Sequence, residues 1–471
     1  MYDLSLIIPE LILTGAALGI LLARSFWPGG ARAWLNAAAV AVLAAGAAAW
    51  THSDATAGAA FGMLAVDGMS RYFDVMLLAG VLLVLWMSSS YAGFPTAPGK
   101  MDWGSYAALL LLSAVGLLLL AGSLDFLMIV VALELVGVTS FILTGYLKDQ
   151  RRSSEAAIKY FLVGAFSTGL MVYGISLLYG VLGSTALASL ASADLLGTPK
   201  LPLVVALVFV LVGFGFKLAM VPFHMWVPDA YEGAPTPITA YLSVAPKAAA
   251  VAVLVRAFSR HAELELTPLL AVLAAATMTL GNLAALRQSN VKRLLAYSSI
   301  AQVGYILVGF VASGRLGTLA VLVYALAYLF MNLGAFACVI AVSNDSGTDE
   351  ADGFDGLAKR SLPLALTTTV FLLSLTGIPP LIGFVGKFAV FAAAVADGWI
   401  WLAVIGVLNS VVSLYYYFSL THRMFFSEPS RPGRVALTPA LTGCLAVALF
   451  VTVWVGVFPQ ALLAWVQRVV P

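Results

Sequence analysis

Charge is what this sequence has least of: only 10% of its 471 residues are Asp, Glu, Lys or Arg, and they leave a net charge of +2. The basic residues are scattered and form no stripe, which excludes a nucleic-acid partner. Cysteine is nearly absent. Cys338 and Cys444 lie singly in apolar runs with no partner spacing, so neither a disulfide framework nor a cysteine metal centre is expected. There is no Gly-rich dinucleotide fingerprint, no phosphate-binding loop, no cysteine cluster for iron and sulfur, and no haem ligand pair. By itself the chain is therefore expected neither to oxidise a nicotinamide nor to hydrolyse ATP. The stretch before the first apolar run carries Asp3 and no basic residue, so it lacks the basic region of a cleaved signal peptide and should stay as a helix.

What is abundant is apolar sequence: 62% of residues are hydrophobic and mean hydropathy is +1.01, more than any soluble core needs. Fourteen apolar runs can be marked, at 4–23, 33–50, 72–90, 105–121, 124–145, 158–180, 201–222, 236–258, 267–286, 294–314, 317–343, 362–395, 399–421 and 436–458. Most match the ~20 residues that cross a bilayer as a helix, and barrel-type alternation is missing. The expectation is an all-α polytopic membrane protein of about 14 transmembrane helices. With the amino terminus outside, fourteen basic residues fall in inner loops and six in outer ones, which satisfies the positive-inside rule and puts both termini away from the cytoplasm.

Proline interrupts two of these runs deep in apolar sequence, at Pro222 and at Pro379 and Pro380. By the i−4 rule Pro222 frees the carbonyl of Leu218, and the proline pair frees those of Leu375 and Thr376. Such carbonyls persist at membrane depth only against protein or a water-filled cavity. Paired discontinuous helices point to an internal repeat with sites near the midplane. The expected division is three leading helices in 1–104, a first five-helix repeat in 105–258, a second, inverted one in 267–421, and a carboxyl-terminal helix in 436–471. Thr236 and Pro237 read as N-cap and first position of a helix that carries Lys247, directly after Pro246, to about mid-depth.

Against this background a few charges stand out. Glu134, Lys217, Lys247 and Lys387 lie within the apolar spans, where a charge costs about 2.5 to 3.5 kcal/mol even on the lenient insertion scale and marks function by default. Burial disfavours the charged form of either group, whereas apposition of a carboxylate and an ammonium restores it, so such a pair switches state for a modest change in surroundings. Two readings hold for Lys159: a site residue, or an i,i+4 partner of Glu155 with a snorkelling stem. His224, two residues past Pro222, reads either as a proton shuttle or as a structural donor. Asp229 and Glu232 fall in a Pro- and Gly-containing loop and are expected to be solvated.

At four patches the chain resembles the antiporter-like membrane subunits of respiratory complex I: RRSSEAAIKYFLVGAFSTGLMVYGISLLYG (151–180), GFGFKLAMVPFHMWVPDAYEGAPTPITAYLSVAPKAAA (213–250), ALRQSNVKRLLAYSSIAQVGYILVG (285–309) and GIPPLIGFVGKF (377–388). The resemblance implies that Glu134 and Lys217 form a coupled pair, that Lys247 bridges to a central axis and that Lys387 serves the exit half-channel. It implies proton translocation across a bacterial inner membrane, with sister antiporter-like and small membrane subunits as partners. NADH, FMN, iron–sulfur clusters and quinone would be handled by other subunits, and this chain would carry no cofactor. Gln302 stands where many relatives have His. The competing reading from the same resemblance is a subunit of a multi-subunit sodium/proton antiporter.

Overall fold

The computed structural model describes residues 4–27, 30–51, 58–94, 101–192, 200–258, 266–312, 314–429 and 431–470. Helices begin where a short polar side chain meets an apolar run. Asp67 and Ser70 form a capping box ahead of α3 (Gly68–Ser90), Asp102 caps α4 (Trp103–Gly122), and Asp125 caps α5 (Phe126–Thr144). Asn290 caps α12 (Val291–Val311) and Thr438 caps α18 (Pro439–Val457) in the same way. The remaining long helices are α1 (Ile8–Phe26), α2 (Ala31–Thr51), α6 (Arg151–Leu182), α8 (Lys200–Leu218), α10 (Thr236–Phe258), α11 (Thr267–Ala285), α13 (Gly314–Ser346) and α17 (Ile400–Phe426).

Among the described residues thirteen helices are thus long and apolar enough to cross a membrane, and the chain is a multi-pass membrane protein. The run at 362–395 is a further crossing in two pieces, α15 (Leu362–Thr376) and α16 (Ile382–Ala396). The run at 201–222 also stops short: α8 ends at Leu218, and a turn leads to the seven-residue α9 (Val227–Gly233). Short α7 (Leu187–Ser192), α14 (Leu357–Arg360) and α19 (Gln460–Val469), a hairpin of β1 (Gly58–Ala60) and β2 (Leu64–Val66), and 3-10 turns at Leu4–Ile7 and Ala351–Phe354 complete the described elements; apolar-run reading did not anticipate them.

Three helices form the centre. The most apolar window of α10 is wholly buried, and α13 and α12 follow at 94% and 89%, whereas α1 is at 22% and α18 at 28%. The peripheral helices leave their apolar sides for lipid, since a helix apolar all round needs either protein or hydrocarbon about it. Backbones approach closely in places: a Cβ on Gly281 of α11 would lie 2.6 Å from the Ala301 nitrogen of α12, so only glycine permits that contact.

Charges collect at the two ends of the bundle. One end holds the Arg24–Asp102 pair, the Arg360–Asp345 and Arg423–Asp355 pairs, and a mesh around Asp229 and Glu232. At the other end the Arg256 guanidinium grips both oxygens of Asp67, at 2.8 and 2.7 Å, and donates to the Ala121 carbonyl at 2.9 Å. Burial alone would push the Asp67 carboxyl up. The bonds and charge of Arg256, joined by Ser70, outweigh it and hold the group below the usual carboxylate range.

Candidate functional site

The site is built on the two helix breaks, which share a construction. At the end of α8 the Met220 amide donates to the Gly215 carbonyl and the Ala219 amide to that of Phe216, with Ala219 in the left-handed region at φ +66°. At the end of α15 the Ile378 amide donates to Leu373 and the Gly377 amide to Ser374, with Gly377 at φ +95°. Both are Schellman closures. Each is followed three residues after the left-handed position by a proline, Pro222 or Pro380, whose preceding peptide bond is cis.

At the second break the two carbonyls that proline frees both find side chains. Gln302 of α12 donates through Nε2 to the Leu375 carbonyl at 2.9 Å, and Lys387 of α16 donates through Nζ to that of Thr376 at 2.9 Å. A cation at the carbonyl end of α15 also answers the helix dipole. Lys387 donates further to Ser410 Oγ of α17 at 3.1 Å, and its ammonium lies 4.1 Å from the centre of the Tyr305 ring. Tyr324 of α13 donates to the Gln302 side-chain oxygen. Gly377 packs on the lysine stem, where an added Cβ would lie 2.7 Å from Lys387 Cδ.

The first break is arranged differently. Lys217 stands in the last turn of α8, and among the described residues its ammonium makes no hydrogen bond. Glu134 of α5 is half-buried, and no salt bridge joins the two among the described residues. The Val221 amide donates to Thr277 Oγ1 of α11 at 3.1 Å, and Trp226 Nε1 donates to the Phe216 carbonyl at 3.1 Å. Between the breaks Lys247 donates to Ser299 Oγ and, at 3.4 Å, to the Ser299 carbonyl of α12, with the Tyr231 ring of α9 at 5.8 Å. The three ammonium-bearing side chains are 4%, 1% and 3% exposed for Lys217, Lys247 and Lys387, so the bundle interior keeps each of them from lipid.

Lys159 and His224 stand apart from this line. Lys159 is partly exposed and pairs with Glu155 at 2.8 Å and with Asp229 of α9 at 2.7 Å. His224 is half-buried in the turn after α8, with its Nδ1 buried. The expectation that Asp229 and Glu232 are merely solvated needs correction. Arg293 of α12 bonds both at 2.9 Å, because the carboxyl-terminal end of α9 packs against the first turn of α12. Lys292, counted among the loop charges, is 2% exposed and donates to the Glu232 and Ala234 carbonyls at 2.9 and 2.8 Å, closing the end of α9. Ser299, Tyr305, Ser410 and Asn282 escaped the sequence reading; their only signal is polarity inside apolar spans.

A bundle with two proline-broken crossings and lysines buried beside them defines the class, and residues 123–413 match the family model described as NADH:quinone oxidoreductase/Mrp antiporter, transmembrane. The chain is 39% identical to NADH-quinone oxidoreductase subunit N of Trichlorobacter lovleyi, covering 99% of this chain and 97% of that one. It is 40% identical to the subunit N of Moorella thermoacetica, covering 98% and 97%. Among solved structures, a chain of respiratory complex I from Thermus thermophilus with bound aureothin superposes with a TM-score of 0.83 at 31% identity, over 97% of this chain and 99% of that one. A chain of the Mrp complex from a Dietzia species shares the fold, with a TM-score of 0.87 at 22% identity. The chain belongs to the NADH-quinone oxidoreductase subunit N family.

Proposed function

We propose that this chain is a proton-translocating membrane subunit of an NADH-quinone oxidoreductase, coupling electron transfer in partner subunits to proton movement through its own interior. Electrons would pass from NADH through FMN and iron–sulfur centres to quinone in other subunits. The partners are the other complex I subunits, among them sister antiporter-like and small membrane subunits. The membrane is a bacterial inner membrane, both termini are periplasmic, and the bundle end that carries the Asp229–Glu232 mesh faces the cytoplasm. Residues 105–258 and 267–421 act as inverted repeats; the matching closures at Ala219 and Gly377 support that division.

One observation carries the reading: three lysines buried inside an apolar bundle, two of them beside helix breaks. Glu134 and Lys217 act as a pair whose separation lets either be neutral or charged. Lys247 passes the change to the centre through Ser299, and Lys387 takes part at the far half. His224 and Lys159 flank the first half. One pKa unit corresponds to about 1.36 kcal/mol, and moving a charge through 100 mV costs about 2.3 kcal/mol, so shifts of a few units load and release a proton.

The test is Lys217→Ala in the assembled enzyme, reconstituted into sealed vesicles. Proton-to-electron stoichiometry should fall while the complex still assembles and oxidises NADH. An unchanged stoichiometry would refute the role, and ion exchange without quinone reduction in the natural assembly would favour an antiporter instead.

A further inference from the structure

We infer that a cavity beside the last turns of α17 cradles the headgroup of a zwitterionic phospholipid with a primary ammonium, a phosphatidylethanolamine, whose acyl chain lies along the outer face of that helix. The cavity, of about 460 Å³, lies between the turn that joins α11 to α12, the 3-10 turn Ala351–Phe354 and α17, at the end of the bundle that carries the ion-pair mesh. Its walls carry both signs of charge, Arg287 and Arg423 with Glu350 and Asp352. A second hollow, beside Phe418 and His422, shares Tyr415, Ser419 and Arg423 with it and brings its rim to the exposed face of α17.

Two of these charges go unanswered. Arg287 and Asp352 are exposed, and among the described residues neither side chain makes a hydrogen bond or an ion pair, although both line the one cavity. Backbone bonds fix the segments that bear them: the Ala351 amide donates to the Ser289 carbonyl and the Val291 amide to the Asp349 carbonyl, both at 2.8 Å. Asn290 Nδ2 adds a bond to Glu350 Oε1 at 3.0 Å, which leaves the second oxygen of that carboxylate available. Arg423 is tied only loosely, to Asp355 at 3.4 Å. Cations and carboxylates are thus set around one hollow without neutralising one another.

A phosphodiester followed by a primary ammonium fits such a frame. Its oxygens accept from the guanidinium groups of Arg287 and Arg423, and its ammonium donates to Asp352 and Glu350. A quaternary ammonium has no N–H to give those carboxylates, and a purely anionic headgroup meets them as like charges. Each contact at a wet surface is weak alone, so selectivity comes from the four together. The place of the acyl chain follows from α17. Leu408, Val411, Tyr415 and Phe418 are exposed and recur at three- and four-residue spacing, one apolar stripe that ends at the rim. From Ser419 at the rim to Leu408 the helix rises about 16 Å at 1.5 Å per residue, close to half of the ~30 Å hydrocarbon core.

The test places the assembled enzyme in vesicles of equal parts phosphatidylcholine and phosphatidylglycerol with a trace of a phospholipid that carries a diazirine in its acyl chain. The probe has an ethanolamine, a choline or a glycerol headgroup, and the peptides labelled on irradiation are mapped by mass spectrometry. Relative to the other lipid-facing segments of the enzyme, residues 408–418 should take up the ethanolamine probe about threefold more than either other probe, the preference that a few weak surface ion pairs give. Arg287→Gln and Asp352→Asn should each bring that preference down toward one. Equal labelling by the three probes, strongest labelling by the glycerol probe, or a preference that survives both substitutions overturns the assignment. So does an unlabelled α17, as expected if a protein partner covers it. Where a variant does not assemble, the three probes are compared on the unsubstituted enzyme at low and high salt. Screening should erase the preference, and one indifferent to salt overturns it.

Discussion

The breaks after α8 and α15 are alike in backbone and opposite in what they do with their lysine. In each, a left-handed residue closes the helix and a proline follows three positions later. At the second break the lysine lies beyond the break and turns back to bond the Thr376 carbonyl, while Gln302 covers Leu375. At the first, the lysine lies before the break, and among the described residues its ammonium makes neither a hydrogen bond nor a salt bridge. One site is tied by neutral hydrogen bonds, and the other leaves its ammonium without a hydrogen bond among the described residues. A single backbone device thus yields one ammonium held by dipoles and one buried without a hydrogen-bond partner among the described residues.

That contrast can be broken by substitution. Gln302→Leu should be the most damaging, since it strands both the Leu375 carbonyl and the Tyr324 hydroxyl at about 1–3 kcal/mol each. Thr277→Val at the first break strands only the Val221 amide, so its loss should be about half as large. Thermal unfolding of the purified complex in detergent would rank the two, and equal losses would erase the distinction. Gly377→Ala should cost about 1–2 kcal/mol for the left-handed backbone and also push the Lys387 stem aside, so that pumping falls with stability. Ala219→Gly should do the reverse and raise stability by about 1 kcal/mol, with pumping retained.

The smallest expected effect lies outside both breaks, at the Asp67–Arg256 pair. Because Asp67 is held below its unfolded value, its stabilisation is complete above the ordinary carboxylate range and fades as pH falls through the lowered value. The melting-temperature difference between wild type and Asp67→Asn should therefore be constant at neutral pH and shrink on acidification. A difference that grew in acid would show the opposite sign of coupling.

Much of the second break is legible in the chain itself. Proline at 379 and 380 names the carbonyls that need partners, and Lys387 is a visible donor seven residues on. The partner of Leu375 is not visible, because Gln302 lies 73 residues away and reaches it only through the rotation of α12. The same reason hides Lys292, which reads as a loop charge beside Arg293 but is buried against the end of α9. It also hides the hydrogen bonds that Asn282 makes with Tyr416 and Tyr305, since the three residues come from three helices.

Sequence alone determined that this is a helical membrane bundle, where its crossings lie, which of them are interrupted, and that Lys217, Lys247 and Lys387 stand deep in apolar spans. Those properties depend on run length, hydropathy and the missing amide of proline, all of them local. Tertiary structure alone decided which acceptor meets each ammonium, that Glu134 and Lys217 stand apart, and that Asp229 and Glu232 are bound. Such outcomes depend on how helices far apart in sequence rotate and pack, and in an apolar interior a shift of one contact decides whether a polar group is paired.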